Sequence, residues 1–262
     1  MNVRWYGHNA VAATKAMCDR LGLGEPRLLS TYTRHHHEQL EGSELEVRSA
    51  LTGGGNKLRI YHELRNRADE DLAATFVHEI DHAPVEAPVI ELPDYGRPRS
   101  LTLDVDGLAQ APPLSEVREL DLSIRFEREV TTEDTMNAEV VPSWLANNLI
   151  WGGERPDDED EKDWIHTLPS GDRAAFVVME QQLWIGQLPA LGTRIQSFGA
   201  TVAIGDKISH GVSWCYDLDT EQPLTVLENI NLAFNLTQRR SMVITPEMRT
   251  ERAARLHPNF AL

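Results

Sequence analysis

The chain has 262 residues, of which 41% are hydrophobic and 25% charged, and its formal net charge is -16 at pH 7. These fractions are typical of a globular protein, so they exclude a wholly disordered or collagen-like chain. The negative charge disfavours nucleic acid and anionic lipid as partners, because both carry negative charge themselves.

No run of apolar residues reaches the roughly 18 that a membrane-spanning helix needs. The first residues lack the apolar core of a signal peptide. Cys18 and Cys215 form no CxxC pair, which fits a reducing compartment. We therefore expect a cytoplasmic protein with no membrane partner and no nucleic-acid partner.

The first half begins with a predicted helix at 10–21, which Gly22 follows as a suitable C-cap. Strand-like alternation follows in segment 42–57, GSELEVRSALTGGGNK, and in the runs KLRIYHEL and LAATFVHEI. The three glycines at 53–55 lack the Lys-Ser/Thr pair of a phosphate-binding loop, so they predict a hairpin turn.

A proline-rich connector separates the two halves. Six of the fourteen prolines lie between Pro84 and Pro113, where apolar periodicity is poor. The predicted organisation is an N-terminal repeat at 1–92, a connector at 93–116 and a C-terminal repeat at 117–262.

The order of the first half recurs in the second half. A helix is predicted at 141–151, where Pro142 suits the first turn, and an acidic insertion follows at 153–163. Shifting 42–57 by 150 residues gives 192–207, and both segments begin with Gly and end with Lys. The later strand-like runs align at the same offset, so the sequence predicts an internal repeat.

Each half has one early helix followed by several strand-like runs, which predicts an α+β fold with antiparallel sheets. A single half would leave one sheet edge and part of its helix poorly covered. Two halves side by side would form one continuous sheet.

This plan resembles the hotdog fold, in which an antiparallel sheet wraps one long helix, and two copies resemble a double hotdog. Thioesterases of that family often carry an Asp-x-x-Gly-His-x-Asn loop before the helix. The first half keeps Gly7-His8, and the second keeps Asp134-Thr135-Met136 but not the Gly-His. Segment 28–82 is also similar to betainyl-CoA thioesterases of carnitine and betaine metabolism.

The resemblance implies an acyl-CoA thioesterase acting on an acyl-CoA or acyl-carrier substrate. Coenzyme A would then be part of the substrate, and no separate cofactor is expected. The tandem halves already form a pseudo-dimer, so association into a homo-oligomer is optional.

Three residues are candidates for catalysis. Glu180 lies in an apolar strand and is assigned as base or nucleophile, with Asp134 before the second helix as its partner in exchangeable roles. Helix N-terminal amides would polarise the carbonyl. His8 could hydrogen-bond the substrate carbonyl. The alternatives are a helix cap for Asp134, an outward-facing strand residue for Glu180 and a structural role for His8.

Arg239 and Arg240 are candidates for binding the phosphates of coenzyme A, because guanidinium groups bind phosphate well. Arg249, Arg252 and Arg255 follow on a predicted terminal helix. A solvated basic surface that balances an acidic protein is the alternative.

Two other functions stay open. One is a catalytically silent acyl-CoA-binding protein, since the family loop is degenerate in both halves. The other is a zinc hydrolase, because the motif His78-Glu79-Ile80-Asp81-His82 matches HExxH and would place both imidazoles on one face of a helix. Pro84 directly after this motif argues against such a helix, and no metal site is predicted.

Overall fold

The computed structural model describes residues 4–40, 42–120, 122–136, 138–151 and 165–262. Two compact units make up the chain. Unit 1 comprises Met1–Val105 with Glu180–Ile185, and unit 2 comprises Asp106–Met179 with Gly186–Leu262. The unit boundary at 105/106 lies inside the predicted connector at 93–116. No described helix is both long and apolar enough to cross a membrane.

The elements follow in chain order. The first part of the chain forms α1 (Arg4–Leu21), β1 (Leu28–His35), β2 (Leu45–Thr52), β3 (Leu58–Asn66), β4 (Leu72–Ile80) and β5 (Val89–Ile90). The second part forms α2 (Leu114–Glu119), β6 (Ser123–Glu129), α3 (Thr132–Thr135), α4 (Asn148–Trp151), β7 (His166–Thr167), β8 (Arg173–Ile185), β9 (Arg194–Ile204), β10 (Ile208–Asp217), β11 (Pro223–Asn235), β12 (Arg240–Ser241) and α5 (Pro246–Ala253).

The strands of unit 1 have the order β5-β2-β3-β4-β1, and the second half of β8 adds to β1. Its main strands pair antiparallel, and the short β5 pairs parallel with β2. The strands of unit 2 have the order β8-β11-β10-β9-β6. These sheets and their few helices agree with the predicted α+β class.

Helix α1 ends where the sequence predicts but begins earlier. Gly22 has a φ of 69°, and the Leu23 amide donates to the Cys18 carbonyl at 3.0 Å, which closes the helix as a C-terminal cap. The helix starts at Arg4 instead of residue 10, because Tyr6 packs with Ala10 against the sheet and extends the buried face by one turn. His8 therefore lies inside the helix and not before it.

The two faces of the unit 1 sheet have different neighbours. Leu64 and Phe76 pack against α1, as alternation on a strand predicts. The opposite face carries Tyr61 and is covered by the connector. A Cβ on Gly96 of that connector would lie 2.7 Å from the Tyr61 hydroxyl, so only glycine fits at this approach. The predicted hairpin turn at 53–55 is confirmed between β2 and β3.

The HExxH motif does not lie on a helix. His78 is in β4, paired with Thr31 of β1 and Ile60 of β3, whereas His82 follows the strand and bonds to the Ala83 carbonyl. Within the described ranges, no three His, Cys, Asp or Glu side chains are grouped to hold a metal ion. The zinc alternative therefore loses the helix geometry on which it rested.

The long helix predicted at 141–151 is wrong in the described residues. This stretch forms a 3-10 turn at Ser143–Leu145 and the short helix α4 instead. The break falls at Ala146 and Asn147, directly before α4, since asparagine side chains compete for backbone hydrogen bonds and disfavour helix interiors. The predicted acidic insertion at 153–163 lies outside the described residues.

An offset of 150 does not relate the units throughout. This offset equates His78 with Glu228. His78 faces the helix α1 of its unit, but in unit 2 it is Asn229 that faces the helix α4. Glu228 therefore lies on the opposite face of its sheet. The register of β9 and β10 shifts at Val202, where a β-bulge adds one residue to β9. Beyond this bulge the faces correspond at an offset of 151, because one residue inverts the facing of a strand.

Candidate functional site

Asp134 is the third residue of α3 and closes its N-terminus. Its Oδ2 accepts from the Thr131 amide at 2.8 Å, and Arg128 donates to both carboxylate oxygens at 2.6 and 2.8 Å. Burial alone would raise the pKa of Asp134, but the hydrogen bonds from Arg128 and Thr131 outweigh it and hold the pKa below its usual value. These contacts match the cap that was the alternative interpretation of Asp134.

The two carboxylate oxygens of Asp134 accept different numbers of hydrogen bonds. Three donors converge on Oδ2, namely Arg128, the Thr131 amide and the Thr131 hydroxyl. Oδ1 accepts from Arg128 alone among the bonds of the described residues. A carboxylate oxygen can accept a second bond, so Oδ1 could hold a water molecule.

Glu180 lies in unit 1 and is 4% exposed. Its Oε1 accepts from the Tyr32 hydroxyl at 2.8 Å and from the Arg99 amide at 2.9 Å, and the Ser100 and Leu101 amides also point at the carboxylate. These donors replace the water lost on burial. Glu180 thus faces the connector, on the sheet face opposite α1.

The other predicted site residues lie at the surface. His8 is exposed on α1. Arg239 directly before β12 and Arg240 at its start are also exposed. Asp134 belongs to unit 2 and Glu180 to unit 1, and each has its own hydrogen-bond partners. The catalytic assignment of Asp134, Glu180 and His8 stays a prediction, as does the coenzyme A assignment of Arg239 and Arg240.

A buried polar network was not predicted from the sequence. The Thr14 hydroxyl of α1 lies 2.7 Å from His62 Nε2 and 2.7 Å from His78 Nδ1, and Ser49 bonds to the other nitrogen of His62. One hydroxyl proton can serve only one ring nitrogen, so the other imidazole donates its own N–H to Thr14. Burial lowers the pKa of both His62 and His78, so both imidazoles are neutral at pH 7, and the network holds α1 against the sheet.

The face of the unit 2 sheet that meets α4 is lined by small polar side chains. The Ser197 hydroxyl donates to the Ile150 carbonyl of α4 at 3.1 Å, which identifies this face. Residues directly opposite in an antiparallel pair share a face. We call it the polar face, and its central residues are Ser197, Gly199, Thr201, Ser209, Gly211, Ser213, Cys215, Thr225, Leu227, Asn229 and Asn231.

Asp134 lies at the β6 edge of the polar face. Its partner Arg128 pairs with Ile195, two residues from Ser197 and therefore on the same face. The charge of Arg128 also reaches Cys215, where it partly offsets the burial that raises the pKa of this thiol. One candidate carboxylate from the sequence thus adjoins the polar face.

Alternating Ser, Gly and Asn on a strand usually indicate a solvent-facing side, so sequence pattern concealed this feature. Ser213, Cys215 and Thr225 are fully buried, and Asn229 is 3% exposed. The degenerate family loop was the one sequence signal that pointed towards this part of unit 2.

No protein-family model and no curated protein sequence matches the chain. Solved structures do match. The 12:0-ACP thioesterase from Umbellularia californica has a TM-score of 0.60 at 9% identity, over 89% of this chain and 87% of that one. An acyl-ACP thioesterase from Bacteroides thetaiotaomicron has a TM-score of 0.56 at 8% identity, over 88% and 90%. The chain therefore has the hotdog fold of these thioester hydrolases.

Proposed function

We propose that this protein hydrolyses an acyl thioester to the free acid and a thiol. The observation that carries the proposal is the fold, which matches an acyl-ACP thioesterase over 89% of this chain and 87% of the other. Fold alone does not specify chemistry, so the side chains must supply a site. Asp134, beside a buried polar face, is the described carboxylate best placed to do so.

In the proposed reaction, water attacks the thioester carbonyl carbon, the carbon–sulfur bond breaks, and the thiol leaves with a proton. Asp134 is ionised at neutral pH because its pKa is lowered by Arg128 and Thr131 despite burial. Its Oδ1 would accept a hydrogen bond from the attacking water and take its proton. The amides at the N-termini of α3 and α4 are not expected to polarise the carbonyl strongly, because each helix has four residues and aligns few peptide dipoles.

Finer parts of the proposal concern organisation and substrate. In unit 1, β1 follows β4 at the end of the order β2-β3-β4-β1. In unit 2, β8 takes the corresponding place beside β11 in the order β9-β10-β11-β8, and this shared order supports two tandem hotdog repeats. The carrier is coenzyme A or an acyl carrier protein, and the neighbours named above act on acyl carrier protein. The likeness to betainyl-CoA enzymes remains a prediction that a substrate panel tests directly.

The purified protein should release free thiol from at least one of short, aromatic, long and betainyl acyl-CoA or from an acyl carrier protein thioester. Asp134→Asn should lower kcat by about 100-fold or more, since a positioned base contributes at least that much. Glu133→Gln is the matched control, because Glu133 is next to Asp134 in the chain and its carboxylate is exposed. Equal turnover by Asp134→Asn and wild type would remove Asp134 from the mechanism.

A catalytically silent acyl-thioester-binding protein is the second candidate. It is favoured by one observation: both predicted carboxylates already bind donors of the protein itself. Binding of acyl-CoA measured by calorimetry, without thiol release from any substrate of the panel, would establish this function instead.

A further inference from the structure

His210 and Glu228 form a hydrogen-bonded pair on the unit 2 sheet, on the side opposite the polar face. His210 Nε2 lies 2.7 Å from Glu228 Oε1. His210 comes between Ser209 and Gly211 of the polar face, so alternation along β10 places it on the other side. We call that side the outer face, and its residues on β10 and β11 are Ile208, His210, Val212, Trp214, Val226, Glu228, Ile230 and Leu232.

The carboxylate of Glu228 is buried and depends on His210. Its side chain is 3% exposed, and His210 supplies the one hydrogen bond that it accepts within the described ranges. A buried carboxylate costs free energy unless a donor compensates the lost water. The Nε2 proton of His210 therefore points at Glu228, which leaves Nδ1 as the ring nitrogen with a free lone pair in the neutral imidazole.

The imidazole of His210 reaches solvent. Its side chain is 19% exposed, and Nδ1 bonds to no atom in the described part of the chain. His35 differs, because its Nδ1 is buried without a partner. A molecule from solution can therefore approach His210 Nδ1 directly, without any movement of the strands.

Apart from the pair itself, the outer face is hydrophobic. Trp214, further along β10, is covered by Phe260 of the C-terminal segment, with ring centroids 5.0 Å apart. At the other end, Ile208 is 41% exposed and its partner Leu232 is half-buried. His210 thus lies beside a hydrophobic surface that is open to water and has no cation for an anionic ligand, so a small uncharged molecule fits it best.

An imidazole with one nitrogen held by a buried carboxylate and the other open to solvent is the base of many hydrolytic sites. The outer-face positions next to His210 are Ile208, Val212, Ile230 and, across on β9, Ala203. None of these side chains carries a hydroxyl or thiol that His210 would activate. The nucleophile that fits this pair is therefore water.

We propose that His210 activates water for the hydrolysis of small uncharged esters on the outer face, with Glu228 as its positioning residue. This activity is separate from the site at Asp134 and does not rest on the proposed thioester hydrolysis. His210 Nδ1 takes a proton from water, and the water oxygen attacks the ester carbonyl carbon. The bond from that carbon to the alcohol oxygen breaks, and the alcohol leaves with the proton from His210.

The test measures hydrolysis of p-nitrophenyl butyrate by the full chain. His210→Gln should lower kcat/KM by about 100-fold, since a positioned base contributes at least that much. In His210→Ala, added imidazole should restore part of the rate, which a purely structural role of the side chain would not allow. Glu228→Gln should lower kcat by about 10-fold or more with KM unchanged, because the imidazole loses its orienting charge.

His166 provides the matched control. Its side chain is 25% exposed, but it pairs at 3.6 Å with Glu251, whose carboxylate is 49% exposed and cannot hold the ring as a buried one does. His166→Gln should therefore hydrolyse the ester like wild type. Asp134→Asn should also keep the wild-type rate, because its carboxylate lies at the edge of the polar face.

The outcomes separate this activity from the proposed thioester hydrolysis. A wild-type rate in His210→Gln, a wild-type protein no faster than buffer, or no recovery of His210→Ala with imidazole overturns the inference. Loss of ester hydrolysis in Asp134→Asn but not in His210→Gln also overturns it and assigns the ester to the Asp134 site. Loss in His210→Gln supports it, whether or not the protein releases thiol from acyl thioesters.

Discussion

Glu180→Ala should lower the free energy of unfolding by about 3–5 kcal/mol, because the Tyr32 hydroxyl and the amides of residues 99–101 would lose their common acceptor while still buried. Glu180→Gln should lower the free energy of unfolding by less, because one oxygen remains as an acceptor. Some stability is still lost, because the new NH2 group faces the Ser100 amide and two donors cannot bond to each other. Chemical denaturation measures both. Hydrogen exchange of the amides at 99–101 should quicken in the same variants.

Glu91→Gln is the control for these variants. Its carboxylate lies on the segment leading to the connector, is 88% exposed and pairs with Arg97. Surface pairs of this kind contribute about 0–1 kcal/mol, so little change is expected. If Glu180→Gln instead keeps full stability and loses hydrolysis, Glu180 is the catalytic base predicted from the sequence and not an anchor for the connector.

Acidification from pH 8 to pH 5 should cost about 4 kcal/mol of stability through His62 and His78, about 2 kcal/mol from each. Burial lowers the pKa of His78 to about 3, and burial together with the neighbouring His78 lowers the pKa of His62 well below its usual value. Both are neutral in the folded state at pH 5, whereas the unfolded chain binds a proton at each.

The sign follows from this difference in bound protons. Stability is complete above the unfolded pKa of about 6.5 and falls as the pH drops towards the folded values. His62 and His78 together should contribute up to about 2.7 kcal/mol per pH unit to the slope of unfolding free energy between pH 6 and 4. His35 and His36, whose pKa values burial lowers to about 4, should add to that slope. Replacing the exposed His37 by Gln should leave the slope unchanged. If the free energy of unfolding does not change between pH 8 and pH 4.5, His62 and His78 can be protonated in the folded protein.

Local signals predicted much of the fold. Gly22 marks a helix end, and Gly54 and Gly55 mark a hairpin, because positive φ angles favour glycine whatever the tertiary context. The strand runs of both halves were found through alternation, which depends on one buried face. The break at Asn147 escaped prediction, since Pro142 and the apolar residues around it outweighed the helix-breaking asparagines.

The candidate site was predicted less completely than the fold. Asp134 was identified from a degenerate loop. Its partner Arg128 lies on β6, which pairs with β9, and no spacing in the sequence predicts the contact between Arg128 and Asp134. Glu180 was expected in an apolar strand with its carboxylate desolvated, and it is 4% exposed. Its donors come from the connector, about 80 residues away in the chain, and only folding brings them together.

The amino-acid sequence by itself determined the α+β class and the main strands, because hydrophobic period and turn residues act over a few neighbours. The tertiary structure alone decided the facing of side chains beyond Val202, where one bulged residue inverts a strand. It also decided which polar groups are buried. Ser213 and Thr225 lie in strand-like runs of the sequence, and only the helix and strands packed around them bury their hydroxyls.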